Sequence, residues 1–186
     1  MTSSIQIFAL CGSLRKGSYN RMLLHAAEEL APDGVSFESF DIGRLPLYNE
    51  DVRAQGFPPP AEELRSKIRA ADALLFVTPE YNYSIPGVLK NAIDWASRPP
   101  DQPFNGKPAA IAGASPSMLG SARAQYHLRQ VCVYLNIFLV NQPEVFVAAA
   151  NNKFDAEGRL TDEPTRKFVA QLMQALVNWT LRRKGG

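Results

Sequence analysis

The residues of this chain that could do chemistry gather in three short segments. The first begins at Gly12 and reads GSLRKGSYNR, directly after the apolar run Ile5–Cys11. Ser13 and Ser18 bring hydroxyls, Asn20 an amide and Arg15 a guanidinium whose forked donors suit a phosphate oxygen pair. A helical pattern starts at Arg21. The segment therefore lies where backbone N–H groups lack intrahelical partners and the helix dipole favours an anion. Gly12 and Gly17 let the backbone run close to such a group. A phosphate monoester answers this description. A solvated polar turn with a helix cap at Ser18 or Asn20 answers it too, because serine and glycine are common in turns.

Spacing removes other phosphate loops. The dinucleotide pattern Gly-x-Gly-x-x-Gly is absent, and Ser18 stands where a P-loop has lysine. Three residues separate Cys11 from Arg15, too few for a cysteine-phosphatase ring. At the end of a buried strand, Cys11 reads as a structural thiol.

The second segment, TPEYNYSIPG, starts at Thr78. Tyr81 and Tyr83 could lie against a flat aromatic ligand, and the backbone of such a loop could read ring heteroatoms. Equally, the tyrosines could shield a sheet end. Glu80 is a possible base, but a glutamate at a loop tip more often makes salt bridges or a subunit contact. The third segment runs from Ser115 to Gly120.

The elements that must position these segments follow from periodicity. Strands are expected at Ile5–Cys11, Val35–Ile42, Ala73–Thr78 and Pro108–Ser115. A fifth, at Ile137–Val140 and Val145–Val147, is bent or edged at Pro143. Helices are expected from Arg21, from Ala61, from Pro86 to Trp95, after a Ser121 cap, and from Glu163 to Arg183 with Phe168, Leu172, Ala175, Leu176 and Trp179 inward. Residues 43–60 form a long irregular segment ending in three prolines. The alternation implies a doubly wound five-stranded parallel α/β sheet between helical layers, spanning residues 1–186 as one domain. In such a sheet the loops after the strand C-termini gather at one edge, where ligands bind.

Composition narrows the functions. A net charge of +2 argues against nucleic acid or an anionic membrane as partner. Two cysteines and two histidines, far apart, give a metal centre little support. With neither a signal peptide nor a membrane-length apolar run visible, the chain reads as cytoplasmic.

Taken together, GSLRKGSYNR, PEYNYSIPGVLKNAIDWASR, GASPS and FDAEGRLTDE resemble the NAD(P)H-dependent FMN reductase family, nearest its bacterial quinone, chromate and azo-dye reductases. The resemblance implies a flavodoxin-like fold of strand order 2-1-3-4-5 with non-covalent FMN. It implies that Ser13, Leu14, Arg15, Lys16, Gly17, Ser18, Tyr19 and Asn20 surround the FMN phosphate, with Arg15, Ser18 and Asn20 in direct side-chain contact. Pro79, Glu80, Tyr81, Asn82 and Tyr83 would line the isoalloxazine, largely through backbone atoms, and Ser115 would lie beside it. Hydride would pass from NAD(P)H to FMN and on to quinones, azo dyes, chromate or nitroaromatics, with no catalytic triad and no metal. Relatives of this kind are dimers or tetramers, and the helix carrying Arg123, Tyr126 and Arg129 would offer the contact face. In the third segment, Ser117 and Ser121 stand where the family pattern has glycine. The competing readings are an electron carrier of flavodoxin type, a phosphatase using Cys11 and Arg15, and a non-enzymatic regulatory domain.

Overall fold

In the computed structural model, which describes residues 4–185, strand β1 (Ile5–Cys11) alternates between two hydrophobic cores. Ile7 and Ala9 enter one, Phe8 and Leu10 the other, as the twofold periodicity of a strand requires. Both faces are covered, so the run needs no polar alternation. The chain continues through α1 (Tyr19–Glu29), β2 (Val35–Ser39), α2 (Glu50–Arg53), α3 (Pro59–Ala70), β3 (Ala73–Val77) and α4 (Gly87–Ala96). It ends with β4 (Pro108–Ala114), α5 (Ala122–Tyr134), β5 (Phe138–Leu139), β6 (Val145–Val147) and α6 (Glu163–Lys184).

All strand pairs are parallel and the order is β2-β1-β3-β4-β5, with β6 also on β4. Helices α1 and α6 pack on one face, and α3, α4 and α5 on the other. The expected fifth strand is two pieces, so six strands form among the described residues. β5 pairs with Pro108 and Ala109, and β6 with Ala112–Ala114. The break contains Pro143, which has no N–H to give the ladder.

Other boundaries moved for physical reasons. The prolines at 58–60 do not end a loop. They start α3, because proline suits the first helical turn. Ile42 leaves the second strand for a 3-10 turn, Ile42–Arg44, whose cap is the Asp41 carboxylate. Phe168 is 53% exposed, contrary to expectation. Val169, Leu172, Met173, Leu176 and Val177 form the inward stripe of α6 instead. Ser121 precedes α5 but makes no capping hydrogen bond with its side chain.

The sheet edge is packed tightly at one glycine. A Cβ on Gly113 would lie 2.0 Å from Ser121 Oγ and 2.3 Å from the Thr78 carbonyl oxygen. The start of α5 is thereby seated against β3 and β4. Gly113→Ala is expected to destabilise the protein by about 3 kcal/mol through overpacking, read as a lower urea midpoint. An unchanged midpoint would show that this contact yields freely.

Candidate functional site

The three segments converge after the strand C-termini around a cavity of about 320 Å³. Ser13, Arg15, Ser18, Tyr19 and Asn20 line it from the first loop, and Pro79, Glu80 and Tyr81 from the second. Ala114, Ser115 and Pro116 close it from the third. Leu14, Lys16, Gly17, Asn82 and Tyr83 belong to the same loops but do not line this cavity. Ala114 and Pro116 escaped the sequence reading because neither carries a group that announces binding.

The first loop is shaped by α1. Ser18 is the helix cap, its hydroxyl accepting from Asn20 N–H at 3.2 Å. Helix α1 thus begins two residues before the apolar pattern does. Asn20 is buried, and its amide faces the end of β4. Its Nδ2 donates to the Ala114 carbonyl at 2.9 Å, and its Oδ1 accepts from Ala114 N–H at 2.9 Å. Arg15 is exposed, donates to the Gly17 carbonyl at 2.7 Å and lies 5.7 Å from the Tyr19 ring centroid. Among the described residues, the backbone N–H groups of Leu14, Arg15, Lys16, Gly17 and Tyr19 have no protein acceptor, while that of Ser13 faces the Cys11 thiol. A run of such donors at a helix N-terminus, beside an arginine, is an oxyanion cradle.

The second loop is a tight turn. Tyr81 and Ser84 exchange backbone hydrogen bonds at 3.0 Å each way. Asn82 and Tyr83 between them both have left-handed backbones, with φ of 49° and 66°. The N–H groups of Glu80, Asn82 and Tyr83 have no protein acceptor among the described residues. Tyr81 and Tyr83 are exposed rather than folded over the sheet end. The Glu80 carboxylate turns to α5, where it accepts from Arg123 N–H at 3.0 Å and Ala124 N–H at 3.2 Å. It therefore supplies the cap that Ser121 does not. Ser121 itself sits at φ 73° with its hydroxyl accepting from Gln125 Nε2 at 3.2 Å. A left-handed backbone is one that glycine adopts without strain, so at Ser121 the chain keeps a conformation that a glycine would serve. Gly120, at φ 52°, lies so close to β6 that a Cβ would be 2.6 Å from the Phe146 carbonyl carbon.

The cysteine reading fails on geometry and acidity. Cys11 lines a different cavity of about 300 Å³, on the far side of the first loop, with Arg21, His25 and Asp41. Its thiol faces the Ser13 carbonyl at 3.8 Å, and burial pushes its pKa upward, against thiolate formation. Among the described residues no three His, Cys, Asp or Glu side chains cluster as metal ligands do.

A parallel sheet of order 2-1-3-4-5, with an oxyanion cradle and an aromatic loop at its switch point, defines a flavodoxin-like nucleotide-binding protein. The sequence profile of the NADPH-dependent FMN reductase family matches residues 5–152, and the chain belongs to that family. It is 58% identical to an NAD(P)H-dependent FMN reductase of Pseudomonas aeruginosa, over the full length of both chains. It is 46% identical to a quinone reductase of Escherichia coli, covering 99% of this chain and 100% of that one. A solved NAD(P)H:(acceptor) oxidoreductase flavoenzyme of Paracoccus denitrificans superposes with a TM-score of 0.89 at 38% identity, covering 96% and 98% of the two chains. The chain is thus an FMN-dependent NAD(P)H oxidoreductase. FMN's single phosphate and single planar ring fit the donor run of the first loop and the free N–H groups of the second.

The two thiols give a check on burial. Desolvation pushes Cys132 up to about 12 and raises Cys11, so both hold less thiolate than a free cysteine at any given pH. With iodoacetamide at mildly alkaline pH, Cys132 is expected to stay unmodified and Cys11 to react slowly, both reacting fully in denaturant. Rapid modification of Cys11 in the folded protein would contradict its placement.

Proposed function

We propose that this chain takes electrons from NAD(P)H and passes them through FMN, held at the three-loop cavity, to quinones and similarly flat or oxidising acceptors such as azo dyes, nitroaromatics and chromate. Bound FMN supplies the two-electron chemistry; the protein holds and orients it. The observation that carries the reading is the set of unpaired N–H donors at Leu14, Arg15, Lys16, Gly17 and Tyr19 beside the Arg15 guanidinium. In this reading Ser13, Arg15 and Ser18 contact the phosphate, with Leu14, Lys16, Gly17 and Tyr19 contributing backbone. Asn20 holds the cradle to β4 as well as facing it. The backbone of Pro79, Glu80, Tyr81, Asn82 and Tyr83 faces the ring, and Ser115 lies beside it.

Tyr81, which lines the cavity, is half exposed, which suits a site where donor and acceptor take turns. The flavodoxin-type carrier fits less well, because such carriers are commonly acidic and this chain carries +2. Its two free thiols suit a reducing cytoplasm, and residues 1–186 act as one FMN-binding domain. Among the described residues no helix is long and apolar enough to cross a membrane.

A homodimer or homotetramer is supported by the outer face of α5, where Tyr126, Val133 and Tyr134 are exposed. Arg123 and Arg129 are less available there than the sequence suggested. Arg123 pairs with Glu80, and Arg129 donates to Asn141 and the Val140 carbonyl. Light scattering coupled to size exclusion is expected to give a multiple of 20.5 kDa; a clean monomer would refute the assembly.

Replacing Arg15 by alanine is expected to raise the FMN dissociation constant about tenfold to a hundredfold, the worth of one charge-assisted hydrogen bond. The quinone reductase rate at saturating FMN should survive largely intact. Unchanged FMN affinity would remove Arg15 from the phosphate site.

A further inference from the structure

The side chain of Glu80 is 9% exposed and reaches the start of α5. One carboxylate oxygen accepts from two backbone N–H groups at the start of α5. The other accepts from Arg123 Nε at 2.6 Å and contacts its Nη2 at 2.5 Å. The Arg123 guanidinium then lies over the Tyr83 ring, 3.6 Å from its centroid. Beside it, Ser84 Oγ is 3.0 Å from His127 Nδ1. Each of these contacts ties the second loop to α5. That helix is in turn fixed to the sheet, because Gln125 Nε2 donates to the Val145 carbonyl at 2.9 Å. The loop needs an outside hold. Two successive non-glycine residues in left-handed backbone cost free energy that only surrounding structure can sustain.

We propose that Glu80 and Arg123 form one clamp that positions the Glu80–Tyr83 backbone for the flavin ring, Glu80 by capping α5 and Arg123 by holding Tyr83 from outside. Neither side chain is assigned contact with the cofactor; both are positioning residues. The proposal rests on reading this loop as the ring-side wall. A carboxylate at a helix N-terminus is favoured by the dipole, and the arginine fork fixes its orientation. The free N–H groups of Glu80, Asn82 and Tyr83 are thereby set before any ligand arrives.

The test compares Glu80→Gln, Arg123→Ala, the double variant and Arg123→Lys. It reads FMN affinity from flavin fluorescence, and amide exchange across residues 79–85 in flavin-free protein. Either single loss is expected to raise the FMN dissociation constant about tenfold, and the double variant no further than the weaker single, because both act through one clamp. Arg123→Lys should recover part of the loss by keeping the charge. Exchange in 79–85 should quicken while exchange in 12–20 stays unchanged. Unchanged affinity, additive losses in the double variant, or unchanged loop exchange would overturn the clamp. If the unmutated protein binds no FMN, the flavin reading fails, and loop exchange alone then decides whether the clamp exists.

Discussion

Two hydrogen bonds between the Asn20 amide and the Ala114 backbone hold the site in register. The ladder of the sheet cannot do this, because β3 lies between β1 and β4. A side-chain amide has the same donor and acceptor pair as a peptide. Asn20 therefore acts as a short piece of strand, joining the first loop to the end of β4. The link is buried, so each of its groups has no water to fall back on, and losing one partner costs more than making the bond gains. The N-terminus of α1 is thus fixed against the third loop before any ligand is considered.

The loops around that link divide the work. The first offers unpaired backbone donors and the exposed Arg15 guanidinium, as an anion site requires. The second offers shape: a two-sided turn strained at Asn82 and Tyr83 and braced from α5. The third closes the cavity with small residues, and Gly113 and Gly120 let α5 and β6 approach the sheet end closely. Hydride chemistry is supplied by a bound flavin, and the protein's part is to hold and orient it.

Much of this was legible in the sequence. Apolar runs without alternation and helical repeats between them dictate a doubly wound sheet, and the switch-point rule then selects the three loops. Arg15, Ser18 and Tyr81, singled out by their chemistry, line the cavity that the three loops form. What escaped depended on long-range geometry. Asn20 looked like a ligand donor, yet its amide is committed to a strand 94 residues away. Glu80 looked like a ring-side group or an ion-pair partner; that it caps a helix 43 residues later is visible only once the sheet has brought the two together. Phe168 lies at the edge of its helical stripe, where an apolar type does not force burial, and Val169 takes the core position instead. The break in the fifth strand was marked by Pro143, but its division into two pairings on β4 was not.

In the proposed function, the three-loop cavity holds FMN in a form that NAD(P)H reduces. The direct measurement is the visible absorption spectrum of the purified protein during FMN addition and then anaerobic addition of NADPH or NADH. Flavin bands are expected to shift on binding, to bleach with the nicotinamide and to return when a quinone is admitted. Flavin that binds but never bleaches with either nicotinamide would contradict the reductase and leave an electron carrier. Flavin that does not bind would contradict the site itself.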